Sequence, residues 1–485
     1  MLIASLSLTA CQVEFASASL SQTTSDESLE EPVQESFAAI STPFPTRPSY
    51  APGELVDYIA QTGDNLPALA VRFNSTVIEI MEANPIIPTD ATTMPPGLPM
   101  RIPIYYAPFW GNPFAILPDS QFINGPAQVD FNTSEFVAQQ PGWLRDYTTY
   151  ATGANRTGAQ VIDLIATNYS ISPRLLLALL EFHSGALSRP SPTSEELLYP
   201  LGYTSRREGG LYNQLAWTAN TLNNGYYNWR QGKLTTLEFS NGRLERPDPW
   251  LNAATASLQY YFSLILPQDQ YNLAISPDGL YQVYTTLFGE PWAADQPHIP
   301  GSLVQPEFLL PFQPNRTWAL TGGPHTAWGE GEPFAALDFA PPSVAGGCTP
   351  TNEWATAVAD GVVARSETGI IVLDLDGDGD ERTGWAVFYL HVATENRIPA
   401  GTMVSAGDPI GHPSCEAGRS TGTHIHIARK YNGEWIPSEG TLAFNLEGWV
   451  AHNGSRPYLG TLTRHSRTVI ANENAATSSH ITSGR

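Results

Sequence analysis

The stretch Ser420-Thr-Gly-Thr-His-Ile-His-Ile-Ala428 constrains this chain more than any other. His424 and His426 stand two apart and alternate with Ile425 and Ile427, the pattern of a β-strand with one polar and one apolar face. Side chains along a strand point to its two faces in turn, so both imidazoles share one face and both isoleucines the other. The isoleucines call for a core beneath them. Two adjacent imidazoles can bind a metal ion, or bind it with one ring and act on a substrate with the other. Two histidines on a solvated strand face would do neither.

Other residues decide between these readings. Upstream stand Gly322-Gly-Pro-His325 and Ala335-Ala-Leu-Asp338-Phe-Ala-Pro-Pro342, and between them and the His-x-His lies Val387-Phe-Tyr-Leu-His391. Together these resemble the LytM/lysostaphin family of zinc metallopeptidases, which cut peptidoglycan peptides. The resemblance covers about residues 310–466. Twelve residues lie between His325 and Asp338, and that wide spacing is similar to the β-lytic/staphylolysin branch. The resemblance implies three Zn2+ ligands, His325, Asp338 and His426, with a fourth position left open for water, the arrangement of a catalytic and not a structural site. It implies that His391 and His424 do not bind metal but orient water, act as general base or stabilise the oxyanion.

Around these motifs, Ala357–Ala364, Gly369–Leu375 and Trp385–Leu390 are β-branched or aromatic runs separated by Gly and Asp, which predicts an antiparallel sheet. Asp374-Leu-Asp-Gly-Asp-Gly-Asp380 starts like a calcium loop. Its twelfth position is Trp385, where a bidentate Glu is needed, and its flanks read as strands, so an acidic hairpin turn is the better reading.

The N-terminus runs Met1-Leu-Ile-Ala-Ser-Leu-Ser-Leu-Thr-Ala-Cys11. The apolar run ending Leu8-Thr-Ala-Cys11 resembles a lipoprotein lipobox, although the basic residues of a signal peptide are absent. Residues 1–11 therefore read as a lipoprotein signal segment with a lipidated Cys11 holding the chain at a membrane, and 12–50 as a polar, disordered tether. An extracytoplasmic protein, anchored or secreted, permits a disulfide between the two remaining cysteines, Cys348 and Cys415. They could instead be metal ligands, but neither sits in a Cys-x-x-Cys pair.

Over residues 51–106 the order is strand, Gly63-Asp64 turn, helix, second helix and closing strand, with Asp64 placed to cap the first helix. This resembles a LysM module, a βααβ unit that binds N-acetylglucosamine-containing glycan strands. Residues 130–298 read as mainly helical, with stripes at Val161, Leu164 and Ile165 and at Leu211, Leu215 and Leu222, the second stopped by Gly225. Ser172-Pro173 caps a helix that ends Glu181-Phe-His183-Ser-Gly185. That helix resembles the first helix of lysozyme-like transglycosylases, with His183 where the acid belongs. A glycosidase needs a carboxyl there, so this region reads as a degenerate lysozyme-like fold, its cleft lined by Trp217, Tyr226 and Trp229. Residues 467–485 are polar and read as a disordered tail.

The fold class is then multidomain α+β: a βααβ module, a mainly α middle domain and an antiparallel β-sheet zinc peptidase domain. A net charge of −23 argues against nucleic-acid binding, which needs a basic surface. The expected function is zinc-dependent hydrolysis of peptidoglycan peptides. The competing reading is a non-catalytic wall-binding scaffold, which would not need the five His and Asp positions.

Overall fold

A computed structural model describes residues 47–105, 111–342 and 346–484. Cys11, its lipobox and residues 12–46 of the tether lie outside the described residues. No helix among the described residues is long and apolar enough to cross a membrane.

At the N-terminal end, β1 (Glu54–Ile59) and β2 (Pro99–Ile104) pair antiparallel, with α1 (Leu66–Arg72) and α2 (Val77–Ala83) between them in the chain. Leu69, Phe73, Ile80 and Ile102 form the core of this βααβ unit. The cap of α1 is Asn65, whose side chain accepts from the Ala68 amide, and not Asp64. Asp64 is buried, accepting from the Tyr58 hydroxyl and pairing with Arg72 at 2.8 Å. A carboxylate taken up by an interior cation is not free to cap a helix.

The helical region is built from α3 (Gly158–Tyr169), α4 (Pro173–Ser184), α5 (Leu211–Arg230), α6 (Ala253–Ile265) and α7 (Leu280–Phe288). Ser172 caps α4 through the Leu175 amide with Pro173 in the first turn, as the sequence predicts. Gly225, expected as a stop, lies inside α5. A Cβ there would stand 2.8 Å from Ser257 Cα, so the glycine lets α5 and α6 approach closely. Burial along that crossing outweighs the cost of about 1 kcal/mol for a glycine within a helix.

Two of the three aromatics assigned to a cleft belong to the core. Tyr226 and Trp229 are buried, and the Trp229 indole N–H donates to the Leu251 carbonyl. Only Trp217 is half-buried, stacked on Tyr203 at 3.7 Å. His183 packs against Tyr261 and Phe262, and burial holds its imidazole down to about 4. Glu181 is committed to the turn beyond α4, accepting from the Leu187 and Ser188 amides.

The C-terminal region is organised on an antiparallel sheet. Its order is Met403–Val404, β5 (Gly361–Glu367), β6 (Gly369–Asp374), β7 (Trp385–Val392), β8 (Ile425–Tyr431), β4 (Phe334–Ala340), β3 (Thr317–Thr326) and His480–Thr482. The acidic run is the β6–β7 hairpin turn, with the Asp374 carboxylate accepting from the amides of Asp376, Gly377 and Gly379. One face of the sheet (Leu337, Phe339, Tyr389, Ile425, Ile427) packs with Leu446, Trp449 and Leu462 of a smaller sheet. The other face (Ala336, Phe388, Leu390, Ala428) joins the core of the helical region.

The tail is ordered where disorder was expected. Arg467–Ile470 forms the outer strand of the smaller sheet and His480–Thr482 extends the large one beside β3. Val469, Ala471 and Ile481 are buried there. Three apolar side chains spread over thirteen residues give no readable period, yet each fills a place in a core that already exists.

One side chain links all three regions. Arg230, buried at the end of α5, donates to the Thr62 carbonyl of the βααβ unit and to the Tyr226 hydroxyl. It also pairs with Asp119 and with Glu434 of the C-terminal region, each at 3.1 Å. Glu434 further accepts from Tyr226 and lies 2.7 Å from His298. Burial alone would raise the Glu434 carboxyl, but Arg230 and His298 outweigh it and hold it at about 2.

Candidate metal centre

The face of the sheet turned toward the helical region carries the site. On β4 and β8, Asp338 and His426 are direct cross-strand partners, so their side chains rise together from one face. His325, near the end of β3 and opposite Ala336, completes the group. The His325 Nε2 lies 3.0 Å from the His426 Nδ1, and the Asp338 Oδ1 is 3.3 Å from the first and 3.2 Å from the second. All three residues are buried.

The hydrogen bonds behind the rings settle their tautomers. His325 Nδ1–H donates to the Gly323 carbonyl at 2.9 Å, leaving Nε2 with a lone pair. His426 Nε2–H donates to the Ala327 carbonyl at 3.0 Å, leaving Nδ1 with a lone pair. Asp338 Oδ1 is buried and has no donor. Positive charge beside it would hold this carboxyl well below the usual range despite its burial, and with the rings neutral that charge has to come from a bound cation. Three acceptors therefore face one another without a proton between them. Such a group is stable only around a cation, and two nitrogens with one carboxylate oxygen are a zinc-type donor set. The approach depends on Gly322, where a Cβ would stand 2.5 Å from Asp338 Oδ2.

His391 and His424 stand beside this group with their rings 4.5 Å apart. His424 Nδ1–H donates to the Gly422 carbonyl at 2.7 Å, and its Nε2 faces Asp338 Oδ1 at 3.7 Å. His391 Nδ1–H donates to the Glu416 carbonyl at 2.9 Å, so its Nε2 also carries a lone pair. Simple alternation would send His391 to the opposite face from Leu390. It is the extra residue of a bulge, unpaired between Gly369↔Val392 and Ile370↔Leu390, with a left-handed φ of 65°. The bulge turns the ring back to the site. Burial, with the neighbouring imidazoles, lowers His391 to about 4, so the ring is neutral near pH 7.

The His391 and His424 rings share a support. Cys348 and Cys415 form a disulfide with a Cα–Cα distance of 5.7 Å. The bridged segments also meet where the Thr423 hydroxyl donates to the Thr349 carbonyl at 2.6 Å. Glu416 and Gly422, which hold His391 and His424, lie in the segment so fixed.

All five residues singled out in the sequence come together in space. Sequence reasoning missed Tyr458, which stacks over His325 at 4.1 Å from a left-handed backbone position. Burial and the charge of Asp338 raise its phenol. Only its place in the turn Gly454-Ser-Arg-Pro-Tyr-Leu-Gly460 hinted at an exposed aromatic.

Residues 115–301 match the family model "LasA, N-terminal domain". The chain is 27% identical over 346 residues to protease LasA of Pseudomonas aeruginosa, covering 67% of this chain and 75% of LasA. It is 30% identical over 151 residues to the beta-lytic metalloendopeptidase of Achromobacter lyticus, covering 28% of this chain and 37% of that protein. These similarities relate the chain to the LasA-like metallopeptidases. Among solved structures it is similar to the M23 metalloprotease pseudoalterin, at 23% identity over 35% of this chain and 96% of that one, with a TM-score of 0.30.

Proposed function

We propose that this chain is a zinc-dependent endopeptidase that hydrolyses peptide bonds of peptidoglycan. The observation that carries the reading is the convergence of the His325 and His426 lone pairs on the donorless oxygen of Asp338. These three residues would hold the ion. When bound, zinc supplies Lewis acidity that polarises a peptide carbonyl and activates water. The chain's own part falls to His391 and His424. Each ring is fixed by a carbonyl at Nδ1 and offers a free Nε2, so each can take a proton from water or, once protonated, hydrogen-bond a developing oxyanion. LasA and the beta-lytic enzyme, named as protease and metalloendopeptidase, support the same reaction type.

The βααβ order of residues 51–106 supports a LysM-like glycan-binding role, and the N-terminal sequence supports anchoring through Cys11. Zinc-loaded full-length protein incubated with defined cross-linked muropeptides should generate new peptide termini detectable by mass spectrometry, and a chelator should stop it. Metal-replete protein that releases none would defeat the peptidase assignment. Chitin-type oligomers should displace the protein from sedimenting cell walls, and no displacement would remove the glycan-binding role.

A further inference from the structure

The segment between β3 and β4, residues 327–333, begins with the carbonyl that holds His426 in its tautomer. Within its own strands the segment has its backbone ties at the Pro333 carbonyl, which accepts from the Ala327 amide at 3.1 Å and from the Ala335 amide at 2.9 Å. Gly329 and Gly331 both have left-handed φ, 78° and 85°. A segment with two such glycines has other conformations open to it.

Its conformation is set from outside the sheet, by α5. Tyr212, Ala216, Asn220 and Asn224 recur every four residues and so lie along one side of that helix. Asn220 Oδ1 accepts from the Glu330 amide and Asn224 Oδ1 from the Glu332 amide, each at 2.8 Å. The glycines are what allow this. A Cβ at Gly329 would stand 2.3 Å from Asn220 Oδ1, and one at Gly331 2.2 Å from Asn224 Oδ1. Gln231 and Lys233, just beyond α5, bind the Glu332 carboxylate at 3.1 and 2.7 Å.

We infer that Asn220 and Asn224 are positioning residues for the metal centre: they fix the 327–333 segment so that the Ala327 carbonyl holds His426 Nε2–H and keeps the Nδ1 lone pair aimed at the ion. The helical region thereby contributes to metal affinity without supplying a ligand. This rests on the metal-centre reading above. A carbonyl behind a ligating imidazole orients the ring and raises its basicity, and losing such a partner typically weakens metal binding about 10- to 100-fold.

The test uses the full chain and reads zinc affinity by chelator competition, together with the visible spectrum of the cobalt-substituted protein, which reports ligand geometry. N220A/N224A is expected to bind zinc about 10- to 100-fold more weakly and to shift the cobalt spectrum. N220A alone is expected to lose about fivefold, the worth of one hydrogen bond, and carries the test if the double variant does not fold. N220D keeps an acceptor oxygen in place and should restore both readouts. Folded alanine variants with native zinc affinity and spectrum overturn the inference, as does an N220D no better than N220A. Wild-type protein that binds no zinc would instead overturn the metal-centre reading itself, and this inference with it.

Discussion

The molecule buries two clusters of charge, and they are completed in opposite ways. At the junction of the three regions, Asp119 and Glu434 close on the Arg230 guanidinium, so the chain supplies the cation its buried carboxylates need. At the metal centre, Asp338 is as deeply buried, but its neighbours offer only lone pairs. Burying an anion without a counter-charge costs several kcal/mol, so this site favours taking up a cation from solution. The first cluster ties regions together. The second offers three donor atoms that a cation would complete, a set suited to chemistry more than to tying regions together.

The largest effects should come from attacking the second cluster. Asp338→Ala and His426→Ala each remove a ligand, so zinc content and peptidase activity should fall together to background, checked by metal analysis and turnover on the same preparations. Zinc kept in His426→Ala but lost from His424→Ala would exchange the roles of those two rings. Next, His391→Ala and His424→Ala should keep zinc near one per chain while activity falls by roughly two to four orders of magnitude.

Attacking the first cluster should spare the chemistry and cost stability. Arg230→Met leaves two buried carboxylates without their cation, a loss of about 3–5 kcal/mol in denaturant unfolding, with zinc still bound in the folded protein. An unchanged unfolding midpoint would mean that the junction is not held by charge. The smallest effect is in pH. The folded Glu434 carboxyl lies at about 2, below its ordinary 4.5, so its contribution is present above pH 4.5 and is lost as pH falls toward 2. Glu434→Gln should flatten that part of the stability profile, by on the order of 3 kcal/mol.

What the sequence disclosed follows the same division. The strand period placed His424 and His426 on one side, and the order of motifs identified Asp338, His325 and His391. That Asp338 and His426 are direct partners depends on register, which is fixed by cores such as Ile425 and Ile427 against Leu337 and Phe339, far apart in the chain. His391 reaches the site only through a bulge, which no local pattern announces. Gly225 read as a helix stop because its value lies in Ser257, a partner from another helix. Arg230 and Glu434, 204 residues apart, carry no local signal at all.

The disulfide supports one part of the site. The three proposed ligands sit on strands β3, β4 and β8, whereas the carbonyls that aim His391 and His424 belong to the segment closed by Cys348–Cys415. With the bridge reduced, the His325, Asp338 and His426 strands would stay paired while the support behind His391 and His424 would loosen. Reducing that bridge should therefore lower turnover more than zinc content, which metal analysis and activity on the reduced and oxidised protein would show.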